Sequence, residues 1–493
     1  MNLTLALFLI PAAAGLSAFA IRSNAVRRVL LVATALVHAG LTVASWLYPA
    51  GPACGGWIQL DDLGRLFLSV TSALFLAASF YAVGYLRREE PGRQMDMEEG
   101  FLFMNAPEAT FTGCLLLFLS TMTLVSASQH FGLLWIAVEA TTLASAPLIY
   151  FHRHHRSLEA TWKYLLICSV GIALALLGNF MLTVAAAPLG HNEPSLLLGN
   201  LVKDGLSLDP RWLKAAFIFF LVGYGTKMGL APMHTWLPDA HSESPSVVSA
   251  LLSGALLNNA FLAILRSHQV CIAAGAEMKA YSSDLLVLFG LLSMAVAAVF
   301  ILKQMDYKRM LAYSSVEHMG ILALGIGLGG SAVFGAVLHA MNHSLTKAML
   351  FFAAGNILAV YRTKSIPDVR GLLRVLPATG LLWLIGFFAI TGSPPFGTFL
   401  SELMILKGAL DAGRTFIAVA YLAILALIFI GMATSFLHMA QGAPPKPIIR
   451  TGESLLSILP PALFAAVVLV LGIYIPPPLL DLLRRLARSL GGS

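Results

Sequence analysis

The sequence predicts an all-α polytopic membrane protein with about fourteen transmembrane helices. Of its 493 residues, 58% are hydrophobic and only 11% are charged. Soluble globular domains average about 45–50% apolar and about 25% charged residues, so this composition excludes a water-soluble enzyme of this size. Apolar stretches recur along the whole chain, and two of them are interrupted by glycine and proline. These observations predict a bundle of membrane-spanning helices, two of which are discontinuous.

The apolar stretches fix the expected spans, because a bilayer-crossing helix needs about 20 mostly apolar residues. The first stretch lacks a small-residue cleavage site before a polar region, so we interpret it as a retained span and not a signal peptide. The longest gaps between spans are loop-sized, so no soluble domain is expected there. The predicted spans are 3–21, 29–48, 64–86, 109–128, 130–150, 164–187, 212–232, 247–265, 284–302, 310–329, 332–360, 375–400, 415–439 and 457–480.

Lysine and arginine are divided unevenly between alternate loops. The richer set includes Arg87, Lys308 and Arg362, and the poorer set includes Lys203 and three arginines of the C-terminal tail. Because cytoplasmic loops carry the excess of basic residues, we expect both termini outside the cytoplasm in the inner (plasma) membrane. The formal net charge of +7 therefore indicates loop topology, and no nucleic-acid partner is expected.

Several kinds of chemistry are excluded by missing motifs. The four cysteines lie far apart and form no CxxC pair, which excludes an iron–sulfur cluster, a Cys-ligated nickel site or a zinc ribbon held by this chain alone. The chain has no GxxxxGK[ST] phosphate loop, so ATP is not an expected direct fuel. We therefore expect no cofactor and no metal, and no catalytic residue acting alone.

Ionisable side chains inside the apolar spans are the strongest functional signal. A charge at mid-membrane costs about 2.5–3.5 kcal/mol on insertion scales, so such residues usually face a polar cavity and have a function. These residues are Glu139 in the fifth span, Lys227 in the seventh, Glu317 and His318 in the tenth, His339, His343 and Lys347 in the eleventh, and Glu402 at the end of the twelfth.

The eleventh span carries a polar stripe. His339, His343 and Lys347 recur every fourth residue and therefore line one helical face, over about 12 Å of helix. This spacing favours a proton relay, because a side chain or one water can bridge each step. A haem or metal pair at His339 and His343, or a structural role as polar contacts between helices, remains an alternative.

Glu139 and Lys227 are predicted to pair across two helices. A shift of the carboxylate relative to the lysine would load or unload a proton on Lys227, which makes the pair a usable switch. The alternative is a static buried ion pair, which contributes little to stability.

Both halves of the chain contain an interrupted span. Proline removes a backbone donor, and unwound backbone at membrane depth is tolerated only within protein or against water. Interruptions at corresponding places in two halves are typical of inverted-repeat transporters. The separation from Glu139 to Glu317 is also close to that from Lys227 to Glu402. The interrupting residues are Gly225, Gly229 and Pro232 in the seventh span and Gly392, Pro394, Pro395 and Gly397 in the twelfth.

The block TKMGLAPMHTWLPDAHSESPSVVSALLSGALLNNAFLAILR, residues 226–266, resembles the proton-conducting antiporter-like subunits of respiratory complex I, Mrp-type antiporters and membrane-bound hydrogenases. Within that superfamily, WIAVEATTLASAP and HAMNHSLTKAMLFFAAGN resemble component F of hydrogenase-4 and formate hydrogenlyase-type complexes most closely. The resemblance covers residues 100–440. It implies two inverted five-helix repeats with discontinuous seventh and twelfth helices.

The resemblance also implies roles and domains. Glu139 matches a fifth-helix glutamate, Lys227 its partner lysine, and Glu402 the terminal group of the twelfth helix. The implied domains are 1–108 with three helices and a loop, 109–270 and 284–440 as the two repeats, and 441–493 with the last helix and tail. The full predicted proton pathway is Glu139, Lys227, His234, His318, His339, His343, Lys347 and Glu402.

One position departs from the family pattern. Many complex I relatives carry a bridging lysine on the eighth helix, where this chain has Asn258. An amide carries no charge, so the relay between the halves would have to pass through water, His318 or the eleventh-helix stripe.

The sequence thus predicts a proton-translocating subunit of a redox-driven complex of the hydrogenase-4 type. The expected partners are other membrane-arm subunits, a peripheral hydrogenase or quinone oxidoreductase module, the lipid bilayer, and protons or sodium. Three alternatives remain open: an Mrp-type sodium/proton antiporter subunit, a redox subunit that binds haem or quinone, and a solute carrier.

Overall fold

The computed structural model describes most of the chain as long helices. Thirteen helical segments among the described residues are long and apolar enough to cross a membrane, and a helix split into two shorter pieces provides a further crossing. The protein is therefore an all-α polytopic membrane protein, as predicted. The described residues are 2–89, 92–95, 100–187, 195–444 and 452–492.

The helix boundaries lie within nine residues of the predicted spans, except near the two interruptions and at the C-terminal end. A short antiparallel pair of strands, β1 (Arg93–Met95) and β2 (Leu102–Met104), lies between the third and fourth helices. The helices are α1 (Leu3–Ala20), α2 (Asn24–Leu47), α3 (Asp62–Arg88), α4 (Glu108–Ala127), α5 (Phe131–Ile149), α6 (His155–Ala186), α7 (Leu198–Lys203), α8 (Pro210–Met228), α9 (Trp236–Glu243), α10 (Ser246–Leu251), α11 (Leu257–Ala273), α12 (Ala276–Ile301), α13 (Tyr307–Leu328), α14 (Ser331–Tyr361), α15 (Leu372–Val375), α16 (Pro377–Ile390), α17 (Gly397–Asp411), α18 (Thr415–Ala440), α19 (Leu455–Ile473) and α20 (Pro477–Ser489).

Side-chain oxygens cap the N-termini of several of these helices. Asp61 Oδ1 accepts the Gly64 amide at 2.9 Å at the start of α3. Asp306 accepts the amides of Lys308 and Arg309 at 2.7 and 3.1 Å at the start of α13. Such N-caps satisfy amides that have no partner within the helix, and each contributes about 1 kcal/mol.

The interruption of the seventh crossing lies between α8 and α9. Gly229 ends α8 in the left-handed conformation, with φ +86°, which favours glycine because it has no Cβ. Gly225 lies inside α8, so the break begins four residues later than the first predicted breaker. The Trp236 indole donates to Thr226 O at 2.8 Å and the Ala231 amide donates to Ser293 Oγ at 2.9 Å. These contacts satisfy the unwound backbone, as membrane depth requires.

The interruption of the twelfth crossing separates α16 from α17. Residues 391–396 are non-helical, and the Thr398 hydroxyl donates to Ala389 O across the break. The helix then continues to Asp411, beyond the predicted end of this span. The inverted relation of the two repeats and the division into four domains remain predictions.

The helices that carry the ionisable residues lie in the centre of the bundle. The segment Ser246–Ala273 consists of α10, a π-helical turn at Leu252–Leu256 and α11, and an apolar stretch of 18 residues within it is entirely buried. Most of α13 and α14 is buried as well. Outer helices expose large apolar side chains such as Val29 and Phe416, as expected of helices that face lipid.

The C-terminal end differs from the predicted boundaries. The last span ends at Ile473 and not near 480, and residues 477–489 form the separate helix α20. Three consecutive prolines, Pro476 to Pro478, cannot continue a helix interior, which explains the break. Helix α20 buries Leu482, Leu483 and Leu486 and exposes Arg484 and Arg485.

Candidate functional site

Lys227 lies at the end of α8, immediately before the interruption, and is fully buried. Its Nζ donates to Thr142 Oγ1 on α5 at 2.7 Å and to Tyr164 OH on α6 at 2.6 Å. Burying a cation is costly unless it is hydrogen-bonded, and these two hydroxyls supply acceptors. Lys227 is therefore held where three helices meet.

Glu139 reaches this lysine through a hydroxyl and not through a direct ion pair. Thr142 Oγ1 donates to Glu139 Oε2 at 3.2 Å, and Ser169 Oγ donates to Glu139 Oε1 at 3.0 Å. Because Thr142 accepts from the ammonium and donates to the carboxylate, the three groups form a directional chain from Lys227 to Glu139. The predicted direct pairing is thus corrected to a bridged one.

Tyr164 extends this chain on the other side. Ser145 Oγ donates to Thr141 O at 2.7 Å, so the 2.6 Å contact between Ser145 and Tyr164 uses the tyrosine hydroxyl as donor. The sequence analysis assigned no role to Thr142, Ser145 or Tyr164. Thr142 could have been found, because it follows Glu139 by three residues and so lies on the same face of α5.

Buried histidines form the centre of the second half. His318 Nδ1 lies 2.8 Å from His339 Nε2, and His339 Nδ1 lies 2.8 Å from Ser401 Oγ. Ser401 donates its own hydrogen to Thr398 O at 2.8 Å, so it must accept from His339 Nδ1–H. His339 Nε2 then carries a lone pair and faces His318. The structure thus joins α13, α14 and α17 through a defined hydrogen-bond chain.

His343 and Glu402 border this chain. The His343 ring lies 5.1 Å from the His318 ring, and neither of its nitrogens has a hydrogen-bond partner among the described residues. Glu402 is 7% exposed and its Oε1 has no described partner either. One nitrogen each of His318 and His339 and one oxygen of Glu402 lie within 4.8 Å of one another. These four predicted residues therefore come together.

Lys347 occupies the far end of the α14 stripe. It is fully buried, and its Nζ donates to Leu311 O at 2.7 Å and to the Ser314 hydroxyl. Glu317, one turn further along α13, is buried with Oε2 unpartnered among the described residues. Lys347 is thus held by α13 backbone and hydroxyl oxygens, and not by a carboxylate in direct contact.

Ring contacts lead from the first half toward α14. The Tyr164 ring lies 5.0 Å from Trp236, Trp236 lies 6.3 Å from His241, and His241 lies 5.4 Å from Phe351 on α14. His241 is fully buried on α9, and its Nε2 has no partner among the described residues. The sequence reading missed His241, although it lies in the block that carried the family resemblance.

Two other residues belong to the expected relay or to its departure from the family pattern. His234 sits in the interruption between α8 and α9 beside the rings of Phe300 and Tyr313, and its place in the pathway stays a prediction. Asn258 donates to Ser344 Oγ at 2.6 Å and to Ala340 O at 3.2 Å, so it contacts α14 between the levels of His339 and Lys347. Asn258 therefore contacts α14 at residues adjacent in sequence to His339 and His343.

A cavity of about 660 Å³ opens where α9 meets α10. Lys308 Nζ donates to Ser242 O and Ser244 O at 2.9 and 2.7 Å, and Lys364 pairs with Glu243 at 2.7 Å. These contacts hold the segment between the two helices against α13. Ser242 and Glu243, at the end of the helix α9 that carries His241, line this cavity.

His152 also lines this cavity. Tyr85 OH and Asn105 Oδ1 contact its ring nitrogens at 3.0 and 2.8 Å, and burial lowers the pKa of His152 to about 4. His152 is therefore a neutral, hydrogen-bonded side chain at neutral pH.

An ion pair between the buried Arg266 on α11 and the partly exposed Asp61 was also missed. Arg266 is 1% exposed and binds Asp61 through both terminal nitrogens, at 3.2 and 3.1 Å. Burial would raise the pKa of Asp61, but the Arg266 charge and hydrogen bonds hold it below its usual value. The pair ties the start of α3 to α11.

Comparisons with known proteins agree with this architecture. The family model for the transmembrane region of NADH:quinone oxidoreductase/Mrp antiporter proteins matches residues 128–428. The chain is 36% identical over 429 residues to the hydrogenase-4 component F homolog of Methylacidiphilum infernorum, an alignment that covers 87% of each chain.

Two solved structures share the fold. A chain of the membrane-bound sulfane sulfur reductase, an archaeal respiratory membrane complex, superimposes with a TM-score of 0.85 at 20% identity, over 100% of this chain and 98% of the other. A chain of the Mrp complex from Dietzia sp. superimposes with a TM-score of 0.84 at 20% identity, over 99% of this chain and 98% of the other.

Proposed function

Because this chain belongs to the NADH:quinone oxidoreductase/Mrp antiporter transmembrane family, we propose that it translocates protons as a membrane subunit of a redox-driven respiratory complex. The similarity to a hydrogenase-4 component F homolog favours a complex of the hydrogenase-4 or formate hydrogenlyase type. The partners are then other membrane-arm subunits and a peripheral hydrogenase or quinone oxidoreductase module. The chain lies in the inner membrane with both termini outside the cytoplasm.

The observation that carries this proposal is the bridged contact between Lys227 and Glu139. Thr142 accepts from the Lys227 ammonium and donates to Glu139, so one hydroxyl links the buried lysine to the carboxylate that favours its charged form. A small movement of α5 against α8 breaks this bridge and changes how well the buried ammonium is stabilised. Such a contact couples helix movement to proton loading.

The second half supplies the continuation. A proton released from Lys227 passes through the region of His241 to Lys347, then along His343, His339 and His318 to Glu402. The α14 residues succeed one another at one-turn intervals, which a side chain or a water can bridge. Glu402 lies beside the interruption of the twelfth crossing, where the proton leaves the chain.

The energy for outward transport must come from another subunit. Moving one charge against 100 mV costs about 2.3 kcal/mol, and the transfer steps within this chain release no chemical energy. The redox module therefore drives the movement that opens and closes the bridge at Thr142.

The test is proton pumping by the assembled complex in inverted membrane vesicles, with Glu139→Gln and Lys227→Ala variants. Both variants should assemble, retain electron transfer with artificial acceptors and lose most proton pumping. Lys407→Ala is the matched control, because this exposed lysine pairs with Asp411 one turn away on α17. Normal pumping by an assembled Lys227→Ala complex would refute the proposal.

The same vesicles separate proton pumping from sodium/proton exchange. Under the proposal, a pH gradient forms only with an electron donor and does not depend on sodium. A sodium-dependent pH gradient without any electron donor would instead assign the chain to antiporters of the Mrp type.

A further inference from the structure

Among the described residues, one group of three metal-ligating side chains is close enough to hold an ion, and it is formed by His318, His339 and Glu402. All three are buried, and their ligand atoms come from α13, α14 and α17. We propose that this group is a binding site for a divalent transition cation of the Zn²⁺ class, and that the bound ion blocks proton transfer. The binding stands on geometry alone, while the block rests on the proposed function.

The ligand set matches the chemistry of zinc. Two imidazoles and one carboxylate are the protein ligands of several zinc sites that keep a fourth position for water. His343 lies beside the group: its nitrogens have no partner among the described residues, and its ring lies 5.1 Å from that of His318.

The tautomer of His339 prepares it to bind an ion. Ser401 accepts the Nδ1–H of His339, so the lone pair of Nε2 points into the group. Histidines that bind metals usually donate their other N–H to a fixed oxygen, which orients the ring and fixes the tautomer. Ser401 already holds that position.

The contact between the two histidines supplies the place for the ion. His318 Nδ1 and His339 Nε2 lie 2.8 Å apart, which requires a proton between them. Two nitrogens on one tetrahedral zinc, each about 2.0–2.1 Å from it, lie about 3.3 Å apart. The rings must therefore separate by about 0.5 Å as the ion replaces the shared proton, which moves to His318 Nε2 or to solvent.

The carboxylate completes the site. Glu402 Oε1 lacks a partner among the described residues, and a Cβ on Gly392 would lie 1.9 Å from Glu402 Oε2. The bare backbone at Gly392 thus leaves the space that the carboxylate fills. Glu402 is 7% exposed and lies next to the interruption of the twelfth crossing.

A bound ion would stop the proposed relay at this point. The ion binds the two histidine nitrogens that would exchange protons, and it replaces their shared proton with a metal ion that stays bound. Zn²⁺ should therefore reduce proton flux in the assembled complex while leaving electron transfer with artificial acceptors intact.

The test measures binding to the purified full chain in lipid nanodiscs after treatment with a chelator. Zn²⁺ titrated calorimetrically should bind at one strong site, and Co²⁺ at the same site should give the visible absorption of a low-coordinate nitrogen and oxygen environment. Glu402→Gln and His339→Gln should weaken Zn²⁺ binding by more than the about 10- to 100-fold expected for Ser401→Ala, which removes only the orienting hydroxyl.

Two buried residues outside the group provide matched controls. Glu317→Gln removes a carboxylate from the same helix as His318, and His38→Gln removes a histidine held between Ser72 and Thr123 at 2.9 Å on each side. Both should retain Zn²⁺ affinity within about twofold of the wild type.

The proposed site would be overturned if Glu402→Gln, with the size-exclusion profile of the wild type, bound Zn²⁺ as tightly as the wild type does. Loss of proton pumping in Lys227→Ala together with absent Zn²⁺ binding would overturn this inference and leave the proposed function standing. Strong Zn²⁺ binding together with normal pumping by Lys227→Ala would support the zinc site and overturn the proposed function.

Discussion

Replacing Thr142 with valine tests the bridge between Lys227 and Glu139 at the lowest structural cost. Valine has nearly the shape of threonine and removes only the hydroxyl that accepts from Lys227 at 2.7 Å and donates to Glu139 at 3.2 Å. A hydrogen bond to a charged group contributes about 1.5–3 kcal/mol. At about 1.4 kcal/mol per factor of ten, the rate of proton transfer through Lys227 should fall about 10- to 100-fold.

The assay is proton uptake by liposomes that contain the assembled complex, driven by an added electron donor. Thr141→Val is the matched control, because the buried Thr141 hydroxyl donates to Val138 O on its own helix and touches neither charge. The control should transport at the wild-type rate. Wild-type transport by Thr142→Val, with normal incorporation into liposomes, would show that the hydroxyl bridge does not control proton loading of Lys227.

Three further outcomes follow from single contacts. Gly392→Ala should strongly reduce proton flux and lower the thermal unfolding midpoint, because the new Cβ meets Glu402 and the residue has φ +60°. Gly329→Ala is the control, because Gly329 has φ +75° and a Cβ there meets no atom within 4 Å; this variant should leave proton flux unchanged. Asp61→Asn should lower the unfolding free energy by about 1–3 kcal/mol at pH 7, because it weakens the contact of the buried Arg266; since the pKa of Asp61 is lowered, this difference should shrink as the pH falls below about 4. His152 should stay neutral at pH 5 in nitrogen NMR spectra and protonate near pH 4. Because the unfolded chain binds this proton near pH 6.5, the folded state should become less stable as the pH falls from about 6.5 toward 4. Protonation of His152 near pH 6.5 would contradict its burial.

Hydropathy predicted most of the fold because membrane crossing depends on composition over about 20 residues, whatever the neighbours are. The fourth span, predicted at 109–128, is Glu108–Ala127 in the structure. The interruptions were predicted from glycine and proline, whose effects are also local. Helix α9 and helix α20 were missed, since each is short and is stabilised by packing against other helices.

The charged residues of the site were found because a charge inside an apolar span is rare and therefore informative. Their hydroxyl partners were not found, because serine and threonine are common in membrane helices and only the packing of α5, α6 and α8 selects Thr142 and Tyr164. His234 lies beside Phe300 and Tyr313, and its place in the pathway stays a prediction.

The proton-to-electron ratio of a Lys347→Met complex tests the central claim most directly, because methionine preserves the bulk of this buried residue and removes its proton. The ratio is measured in inverted vesicles, with the exposed Lys407→Met as control. We expect electron transfer to continue in both variants, with the ratio falling well below the wild-type value only in Lys347→Met. A wild-type ratio in Lys347→Met would contradict the conclusion that protons cross this chain along its buried residues.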